Sequence, residues 1–451
     1  MDLAPLPGFR DFFPEERARR DYVFEQWRAA ALRYGFCAYD GPPLEQTDLY
    51  RQKSGDEIVK QLYCFQDKGE RDVSLRPEMT PTLARMVVRG GQSMPKPLKW
   101  FSMPQLFRYE RQQKGRLREH YQFNCDIIGE NSVEADVELV ALLIDCLRSF
   151  RLTAEDFYVR VNDRQLLAAL TQAIGIVDPE LQGKVFGALD KFTRESPETI
   201  RSMLVAAGAV ESQADQLLDL FKLKTLSEIA GRFDAHPAVC ERVLHLQKFF
   251  GYIESMGLKD YAVFDITIVR GLAYYTGIVF EAFDRKGKFR AISGGGRYDH
   301  LLKKIGNVDL PAAGFGMGDV VLGEILTDRG LWPSKWSSGI DLYLVLVDES
   351  LRAPFLALAH ELREQGWRAD YSLSGGGVGK QFKAAGQRGA RFAIVIGPEE
   401  WQRGAVKLKH LETREETEVR VDQLKSVLAE KLDSRFLGND NKIGMQATIK
   451  S

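Results

Sequence analysis

A basic segment at residues 108–118, RYERQQKGRLR, combines five cationic side chains with one acid between two strand-like stretches. Arg108 and Glu110 end the first stretch, while Gln122 and Asp126 lie four residues apart on the second and therefore on one face of a strand. We predict a hairpin with a basic tip. Such a face suits a phosphate and an ammonium group, although for most charge runs a solvated loop is the better interpretation.

Three further segments join charged or aromatic residues to turn residues. LRPEMT places Glu78 and Thr80 in a proline-restricted turn, where a buried Arg–Glu pair is the alternative interpretation. In IVRGLAYYTGIVFE, Arg270 stands in an apolar stretch and needs an anion, either a structural partner or a substrate carboxylate or phosphate. SGGGRYD at residues 293–299 allows a flat ligand to approach the backbone, or is a simple turn.

Composition and cysteine spacing exclude several classes of protein. The 451 residues carry 62 Lys+Arg against 63 Asp+Glu, so any nucleic-acid contact must come from local basic patches. The five cysteines form no CxxC pair and no spacing with histidine that suits zinc, so we expect no zinc site and no disulfide framework. A P-loop, a dinucleotide-binding GxGxxG motif in βαβ context and a nucleophile elbow are absent from the sequence.

The N-terminal residues and the hydropathy pattern predict a cytoplasmic protein without a membrane span. Prolines and mixed charges occupy the stretch where a signal peptide needs an apolar run. The sequence also lacks an uninterrupted apolar run of about 18 residues, the length that a membrane helix requires.

Hydrophobic periodicity predicts the elements that position these segments. We expect helices over 15–34 and 133–150, sheet over 36–130, and glycine-rich sheet again over 263–317. The predicted domains are a sheet-rich domain from 1–164 and 256–330, a helical insertion at 165–255, a small α/β domain at 338–432 and a loose tail at 433–451.

Taken in order, LRPEMT, RYERQQKGR, YQFNCDIIG, VRGLAYYTGIVFE and SGGGRYD resemble the catalytic domain of histidyl-tRNA synthetases, a family of class II aminoacyl-tRNA synthetases. The resemblance covers about residues 5–432 and includes GKQFKAAGQRGARFAIVIG, which is similar to the class IIa anticodon-binding domain. It implies an α+β fold: a class II synthetase antiparallel-sheet catalytic domain with a helical insertion, plus a C-terminal α/β anticodon-binding domain. It also implies a homodimer, because GPPLE at residues 41–45 resembles the first class II motif, which packs across a two-fold axis.

The resemblance implies a reaction and a set of residues that perform it. Histidine would react with ATP, bound with Mg²⁺, and the histidyl group would pass to tRNA(His). Arg108 and Arg270 would be catalytic and hold the α-phosphate from opposite sides. The implied ATP-binding residues are Arg108, Glu110, Arg116 and His120. The implied histidine-binding residues are Glu78, Thr80, Gln122, Asp126, Tyr274, Tyr275, Arg297 and Tyr298.

This sequence departs from the family pattern at four positions. Asp126 replaces a frequent Glu, Ala273 replaces a frequent Asp, and His120 stands where many members carry a Phe that stacks on adenine. Val321 stands where the third class II motif usually supplies an ATP-binding arginine. We therefore expect His120 to stack on adenine and another basic residue, Arg116 or Arg297, to take part of the phosphate charge.

Two other functions remain to be weighed. The regulatory subunit of ATP phosphoribosyltransferase resembles the catalytic core but lacks the anticodon-binding domain. The presence of residues 340–432 favours the enzyme, as does the presence of the site residues Glu78, Arg108, Gln122, Arg270 and Tyr275. The segments VRGLAYYTGIVFE and SGGGRYD, which match histidine-specific signatures, disfavour a different class IIa synthetase.

Overall fold

The computed structural model describes residues 3–54, 61–110, 115–192, 194–269, 274–333 and 339–431. Arg270, Ala273 and the predicted tail at 433–451 lie outside the described residues. The chain divides into two compact units, Met1–Pro333 and Ser334–Ser451, which are described separately below.

The first unit contains twelve described α-helices and twelve described strands. The helices are α1 Pro14–Arg33, α2 Thr47–Ser54, α3 Thr80–Met86, α4 Val133–Ser149, α5 Arg164–Ala173, α6 Pro179–Leu189, α7 Pro197–Ala207, α8 Glu211–Leu220, α9 Leu226–Arg232, α10 Pro237–Ser255, α11 Leu301–Gly306 and α12 Asp319–Asp328. The strands are β1 Cys37–Ala38, β2 Leu44–Gln46, β3 Cys64–Gln66, β4 Asp72–Leu75, β5 Leu98–Ser102, β6 Gln105–Phe107, β7 Glu119–Ile128, β8 Phe157–Asp163, β9 Ala262–Phe264, β10 Ile278–Asp284, β11 Ser293–Arg297 and β12 Ala312–Gly318.

A nine-stranded sheet forms the centre of this unit. Its order is β1-β5-β7-β12-β11-β10-β8-β9, with β6 paired to β7 beside this path. Neighbouring strands pair antiparallel along the run β5-β7-β12-β11-β10-β8. At the two edges, the pairs β1–β5 and β8–β9 are parallel. A separate three-stranded sheet has the order β2-β4-β3.

Helices α1 and α4 cover one face of the central sheet because both present apolar residues to it. Trp27 of α1 is fully buried and stacks on Phe123 of β7, with 5.5 Å between the ring centroids. In α4, the residues from Leu139 to Leu147 are almost all buried, except the half-buried Asp145. Burial of these large apolar surfaces stabilises the sheet. It also determines which face of β7 packs against α1 and α4 and which face is turned away from them.

The helices α5 to α10 lie within the stretch for which the sequence predicts an insertion. Several of them begin at residues that satisfy the free N–H groups of the first turn. Asp163 accepts a hydrogen bond from Gln165 N at α5, and Asp178 accepts one from Leu181 N at α6. Thr225 forms a capping box with Glu228 at α9.

The second unit is a small α/β domain. Its strands are β13 Leu342–Leu346, β14 Ala369–Tyr371, β15 Phe392–Ile396, β16 Ala405–His410 and β17 Glu416–Arg420, and its helices are α13 Arg352–Glu364, α14 Val378–Gln387, α15 Pro398–Gln402 and α16 Leu424–Lys431. The sheet order is β14-β13-β15-β16-β17, with β13 parallel to both neighbours. The α+β class predicted from the sequence is confirmed. The prediction of sheet, interrupted by turns and loops, over 36–130 missed the short helices α2 and α3, which separate the strands.

Candidate active-site cleft

Strand β7 carries a row of polar side chains on the face opposite α1 and α4. Gln122, Asn124 and Asp126 alternate with the buried Phe123 and Cys125. Because side chains alternate between the two faces of a strand, the three polar residues share one face. Asn124 and Asp126 are nevertheless 5% and 4% exposed, so this face lies at the bottom of a depression.

Glycines of β12 form the floor of this depression beside the polar row. Gly314 pairs directly with Asp126, and Gly316 pairs with Asn124. A methyl group at Gly314 would lie 2.0 Å from Asp126 Oδ1, and one at Gly316 would lie 2.7 Å from Gln122 Cδ. These two positions require glycine because any larger residue would occupy the space into which the polar side chains extend.

We call the deeper part of the depression the inner pocket; its volume is about 130 Å³. It brings together seven of the eight predicted histidine-binding residues. The lining consists of Glu78, Thr80, Arg108, Gln122, Asn124, Asp126, Tyr274, Tyr275, Gly294, Tyr298, Gly314, Phe315 and Gly316. Glu78 stands in the turn after β4 and Thr80 begins α3, and the other lining residues come from segments far away in the sequence.

A buried hydrogen bond fixes the acidic end of the inner pocket. The Tyr298 hydroxyl donates to Asp126 Oδ1, and both side chains are almost fully buried. Burial, together with the nearby Asp126, raises the pKa of Tyr298 well above its ordinary value. Burial likewise raises the pKa of Tyr274, whose ring lies 4.4 Å from that of Tyr275. Both phenols are therefore protonated hydrogen-bond donors at neutral pH.

We call the wider part of the depression the outer cleft; its volume is about 820 Å³. It shares Arg108, Gln122, Tyr274, Tyr275, Gly294 and Gly316 with the inner pocket, so the two spaces join at these residues. Five arginines line it: Arg108, Arg116, Arg160, Arg194 and Arg290. This concentration of cations suits a polyanionic ligand although the whole chain is almost neutral.

The predicted ATP-binding residues take different positions around the outer cleft. Arg108 Nε donates to Pro77 O at 2.9 Å, which holds its guanidinium where the two spaces join. Arg116 lines the cleft and forms an ion pair with Glu110 at 2.9 Å. The paired carboxylate therefore orients the arginine but does not line the cleft itself.

His120 continues the polar row of β7 toward the end of the strand. Burial, with smaller contributions from Arg108 and Arg10, lowers the pKa of His120 from 6.5 to about 3. The imidazole is therefore neutral at physiological pH. Its place on the same face as Gln122 is compatible with the predicted stacking role, although it does not line the inner pocket or the outer cleft.

Arg297 lines neither the inner pocket nor the outer cleft, and its role in binding a ligand stays a prediction. On β11, Gly294 and Gly296 face the depression, so Arg297 faces the opposite side of the sheet. Its guanidinium binds Asp136 of α4 at 2.8 Å and also donates to the carbonyl oxygens of Glu130 and Ser132. This buried network joins the sheet to α4.

A second ion cluster ties the basic hairpin to α12. Arg10 binds Glu119 at 2.6 Å and Asp319 at 2.9 Å. Asp319 also accepts a hydrogen bond from Tyr121 N at 2.9 Å, so the first residue of α12 is fastened to β7. The cluster positions Val321, which lines the outer cleft.

Several cleft residues were not predicted from the sequence. Asn124 could have been found, because it stands between Gln122 and Asp126 on the same strand face. Glu281 was not found, although its cross-strand partner on β11 is Gly294 and on β8 is Arg160. Asp190 reaches the cleft from the end of α6, and no sequence spacing connects it to the other lining residues.

Comparisons with known proteins agree with this architecture. The family model described as histidyl-tRNA synthetase matches residues 8–318, and a model of the anticodon binding domain matches residues 341–431. The chain is 43% identical over 426 residues, 94% of its length and 97% of the relative, to a protein of Opitutus terrae named histidine–tRNA ligase. It is 39% identical, over 94% of its length and 86% of the relative, to the chloroplastic/mitochondrial histidine–tRNA ligase of Arabidopsis thaliana.

A solved structure shows the same fold at lower identity. The histidyl-tRNA synthetase of Nostoc sp. PCC 7120 superposes with a TM-score of 0.80 and is 22% identical in sequence. The match covers 96% of this chain and 100% of that one. At this identity the likeness concerns the fold alone.

Proposed function

The chain belongs to the histidyl-tRNA synthetase family, and from this premise we propose that it is a histidine–tRNA ligase. It joins histidine to ATP to form histidyl-adenylate and then transfers the histidyl group to tRNA(His). The observation that carries this proposal is the junction at Arg108, where a small acid- and phenol-lined pocket meets a wide arginine-lined cleft.

The inner pocket supplies the groups that histidine requires. Asp126 is a hydrogen-bond acceptor for an imidazole N–H, and the hydroxyl of Tyr274 is a donor for the other ring nitrogen, since the hydroxyl proton of Tyr298 is already donated to Asp126. Glu78 provides a carboxylate for the ammonium group, and Thr80 and Gln122 provide neutral polar contacts. With these groups occupied, the substrate carboxylate points toward the junction with the outer cleft.

The chemical step needs positioning and charge neutralisation rather than a protein nucleophile. A carboxylate oxygen of histidine forms a bond to the α-phosphorus of ATP, and the bond to the bridging oxygen breaks. Pyrophosphate leaves with the electron pair. Arg108 neutralises the α-phosphate, and Arg270, which lies outside the described residues, keeps the opposing role that the family resemblance implies.

ATP enters this reaction as its Mg²⁺ complex. Magnesium prefers oxygen ligands, and the outer cleft contains two carboxylates, Asp190 and Glu281, in addition to the phosphates of the nucleotide. Arg116, oriented by Glu110, is placed to contact the outer phosphates. The ion supplies charge neutralisation of the departing pyrophosphate.

Histidine-dependent exchange of labelled pyrophosphate into ATP tests the proposal. Exchange requires reversible formation of the adenylate, and only histidine among the amino acids should support it. Absence of exchange at saturating ATP and histidine would contradict the ligase assignment. That result would favour a regulatory subunit of ATP phosphoribosyltransferase instead.

We propose that the second unit binds the anticodon stem of the tRNA. Lys380, Lys383 and Arg388 are exposed on or beside α14, and no acid occurs between residues 374 and 391. This patch attracts phosphate locally although the whole chain is almost neutral. A chain truncated after Pro333 should keep pyrophosphate exchange and lose most tRNA charging. Unchanged charging by that truncated chain would contradict an anticodon role.

We also propose that the protein is a homodimer in the cytoplasm, where it serves translation. Strands β2 and β3 are the edges of their sheet, and Leu44 and Phe65 on them are 38% and 50% exposed. Exposed apolar side chains on open edges favour association with a second copy. Light scattering should give twice the mass of the chain, and a monomer with full exchange activity would contradict the dimer.

Among the helices of the described residues, none combines the length and the apolar composition of a membrane span.

A further inference from the structure

Tyr274 and Tyr275 bring their phenols to the inner pocket from a stretch of chain that is neither helix nor strand. Both residues precede β10, which begins at Ile278. Their ring centroids lie 4.4 Å apart, and the ring centroid of Tyr274 lies 5.8 Å from that of Tyr298. Since no strand pairing fixes the two tyrosines, contacts of their neighbours must hold the phenols in place for a small ligand.

Thr276, the next residue, is hydrogen-bonded through every polar atom it has. Its hydroxyl donates to Asp299 Oδ2 at 2.9 Å and accepts from Asp299 N at 3.1 Å. Its backbone N–H donates to Arg297 O at 2.7 Å, and its backbone oxygen accepts from Gln165 Nε2 at 2.9 Å. We call the two hydrogen bonds between Thr276 and Asp299 the Thr276–Asp299 clasp. It joins the tyrosine segment to the residue that follows Tyr298.

The sheet holds Asp299 in turn. Its second carboxylate oxygen, Oδ1, accepts from Ala312 N at 3.1 Å and from Arg297 Nη1 at 3.3 Å. Asp299 also directly follows Tyr298, whose hydroxyl donates to Asp126 in the inner pocket. The clasp therefore ties the tyrosine segment to the same strand end that carries the acidic part of the pocket.

Open space borders much of the tyrosine segment. Tyr274 and Tyr275 line both the inner pocket and the outer cleft, and Tyr275 and Thr276 line a third space of about 310 Å³ beside α5 and α6. On the side of β11, Tyr275 packs closely, because a methyl group built on Gly296 would lie 3.1 Å from Tyr275 Cδ1. Packing thus restrains the segment on few sides, and directed hydrogen bonds must supply the remaining restraint.

We propose that Thr276, clasped by Asp299, is a positioning residue for histidine and sets where the phenols of Tyr274 and Tyr275 stand in the inner pocket. The inference rests on the proposed function and deepens its account of the histidine site. Thr276 and Asp299 line neither the inner pocket nor the outer cleft, so they act through the two tyrosines.

Titration of the full-length protein with histidine, without ATP or tRNA, is the direct test. Thr276→Val keeps the shape of the side chain and removes the hydroxyl that binds Asp299. We expect at least about tenfold weaker binding of histidine, because displacement of a binding group by about 1 Å can cost about 100-fold. Thr276→Ser restores the hydroxyl and should recover most of the loss. Thr276→Ala removes the same hydroxyl and serves as the second variant if the valine form does not fold.

Thr153→Val is the matched control. The hydroxyl of Thr153 also donates to a carboxylate oxygen, Asp156 Oδ2, at 2.9 Å. This pair stands before β8 and lines neither the inner pocket nor the outer cleft. The control variant should therefore bind histidine as the unmodified protein does.

Pyrophosphate exchange separates positioning from general disturbance of the fold. Thr276→Val should raise the KM for histidine and change the KM for ATP much less. The reason is that the outer cleft attracts phosphate through arginines on other segments of the chain. A role in stability alone would lower the unfolding temperature and leave the affinity for histidine unchanged in the folded protein.

Three results would overturn the proposal. One is equal histidine affinity for folded Thr276→Val and Thr153→Val, and another is an equal rise in the KM for histidine and the KM for ATP. The third is a Thr276→Ser variant as impaired as Thr276→Val, since the hydroxyl would then not be the cause. Failure of the proposed function is distinguishable, because it would appear as absent exchange in the unmodified protein, while the ratio of histidine affinities still decides the role of Thr276.

Discussion

The inner pocket and the outer cleft adjoin at Arg108 but achieve recognition by different means. In the inner pocket, buried polar groups such as Asp126 and Tyr298 already bind one another, and glycines leave only about 130 Å³. The outer cleft is about six times larger and is lined by arginines on several elements. A buried, preorganised pocket discriminates between similar ligands, because an incorrect ligand leaves polar groups unpaired. An open cationic cleft mainly provides attraction to charge.

This difference explains where the sequence tolerates departures from the family pattern. A change in the inner pocket alters hydrogen bonds that have no substitute, and the change there, Glu to Asp126, keeps the carboxylate. The outer cleft has Val321 at the position where the resemblance implies an arginine, and several other arginines line the same volume. Charge neutralisation can be shared among neighbours more easily than a directed hydrogen bond can.

The largest expected effect concerns Arg297, which lies on the opposite face of the sheet from both spaces. Arg297→Met leaves Asp136 as an unpaired buried charge, so the free energy of unfolding should fall by about 3–5 kcal/mol. Adding Asp136→Leu should restore much of that loss, since replacing the whole pair is far less costly. Denaturant titration measures both. A stable double variant with a selectively raised KM for histidine would instead indicate that Arg297 contributes to binding histidine.

Gly314→Ala should have the next largest effect, because the added methyl group would displace Asp126 from the inner pocket. A shift of about 1 Å in a binding group can cost about 100-fold in rate, so we expect at least that loss in kcat/KM for histidine. Gly318→Ala is the matched control on the same strand, since no heavy atom lies within 4 Å of its added methyl group. Similar losses in both variants would show that the strand, not the pocket, is sensitive.

Asp126→Asn tests whether the inner pocket selects histidine. The variant keeps the shape of the side chain but removes the charge, and should raise the KM for histidine roughly 10- to 150-fold. The KM for ATP should change by less than about threefold, because Asp126 lines only the inner pocket. Pyrophosphate exchange with each substrate varied in turn provides both values. Equal changes in the KM for histidine and the KM for ATP would mean that Asp126 does not act on histidine alone.

The smallest expected effect concerns His120 and appears as pH dependence. Its native pKa of about 3 lies below the ordinary value of 6.5, so the unfolded chain binds a proton that the native protein excludes. Stability should therefore decrease as the pH falls from 6.5 toward 3. His120→Phe should remove this contribution, about 1–2 kcal/mol at pH 5, while exchange activity at pH 7.5 changes little. Thermal unfolding at pH 5 and pH 7.5 gives the comparison.

If His120→Phe leaves the pH dependence of stability unchanged, burial does not lower the pKa of this imidazole.

The sequence by itself determined the class of fold and most of the inner pocket. Periodicity located α1 and α4 within a residue or two, because long apolar stripes on helices depend on local pattern. The same alternation placed Gln122 and Asp126 on one face of β7. The ordered motifs also identified the family, since they specify which polar residues accompany each other along the chain.

The tertiary structure was needed to show which face of β11 carries Arg297 and which residues lie near Val321. The GGGRYD motif contains Arg297 next to pocket residues, but alternation along the strand places it against Asp136 of α4 instead. Arg290 stands in a connection without any recognisable motif, and its nearness to α12 follows from the pairing of β10, β11 and β12. Contacts between residues distant in sequence depend on how the sheet is assembled, and no local spacing in the chain encodes that assembly.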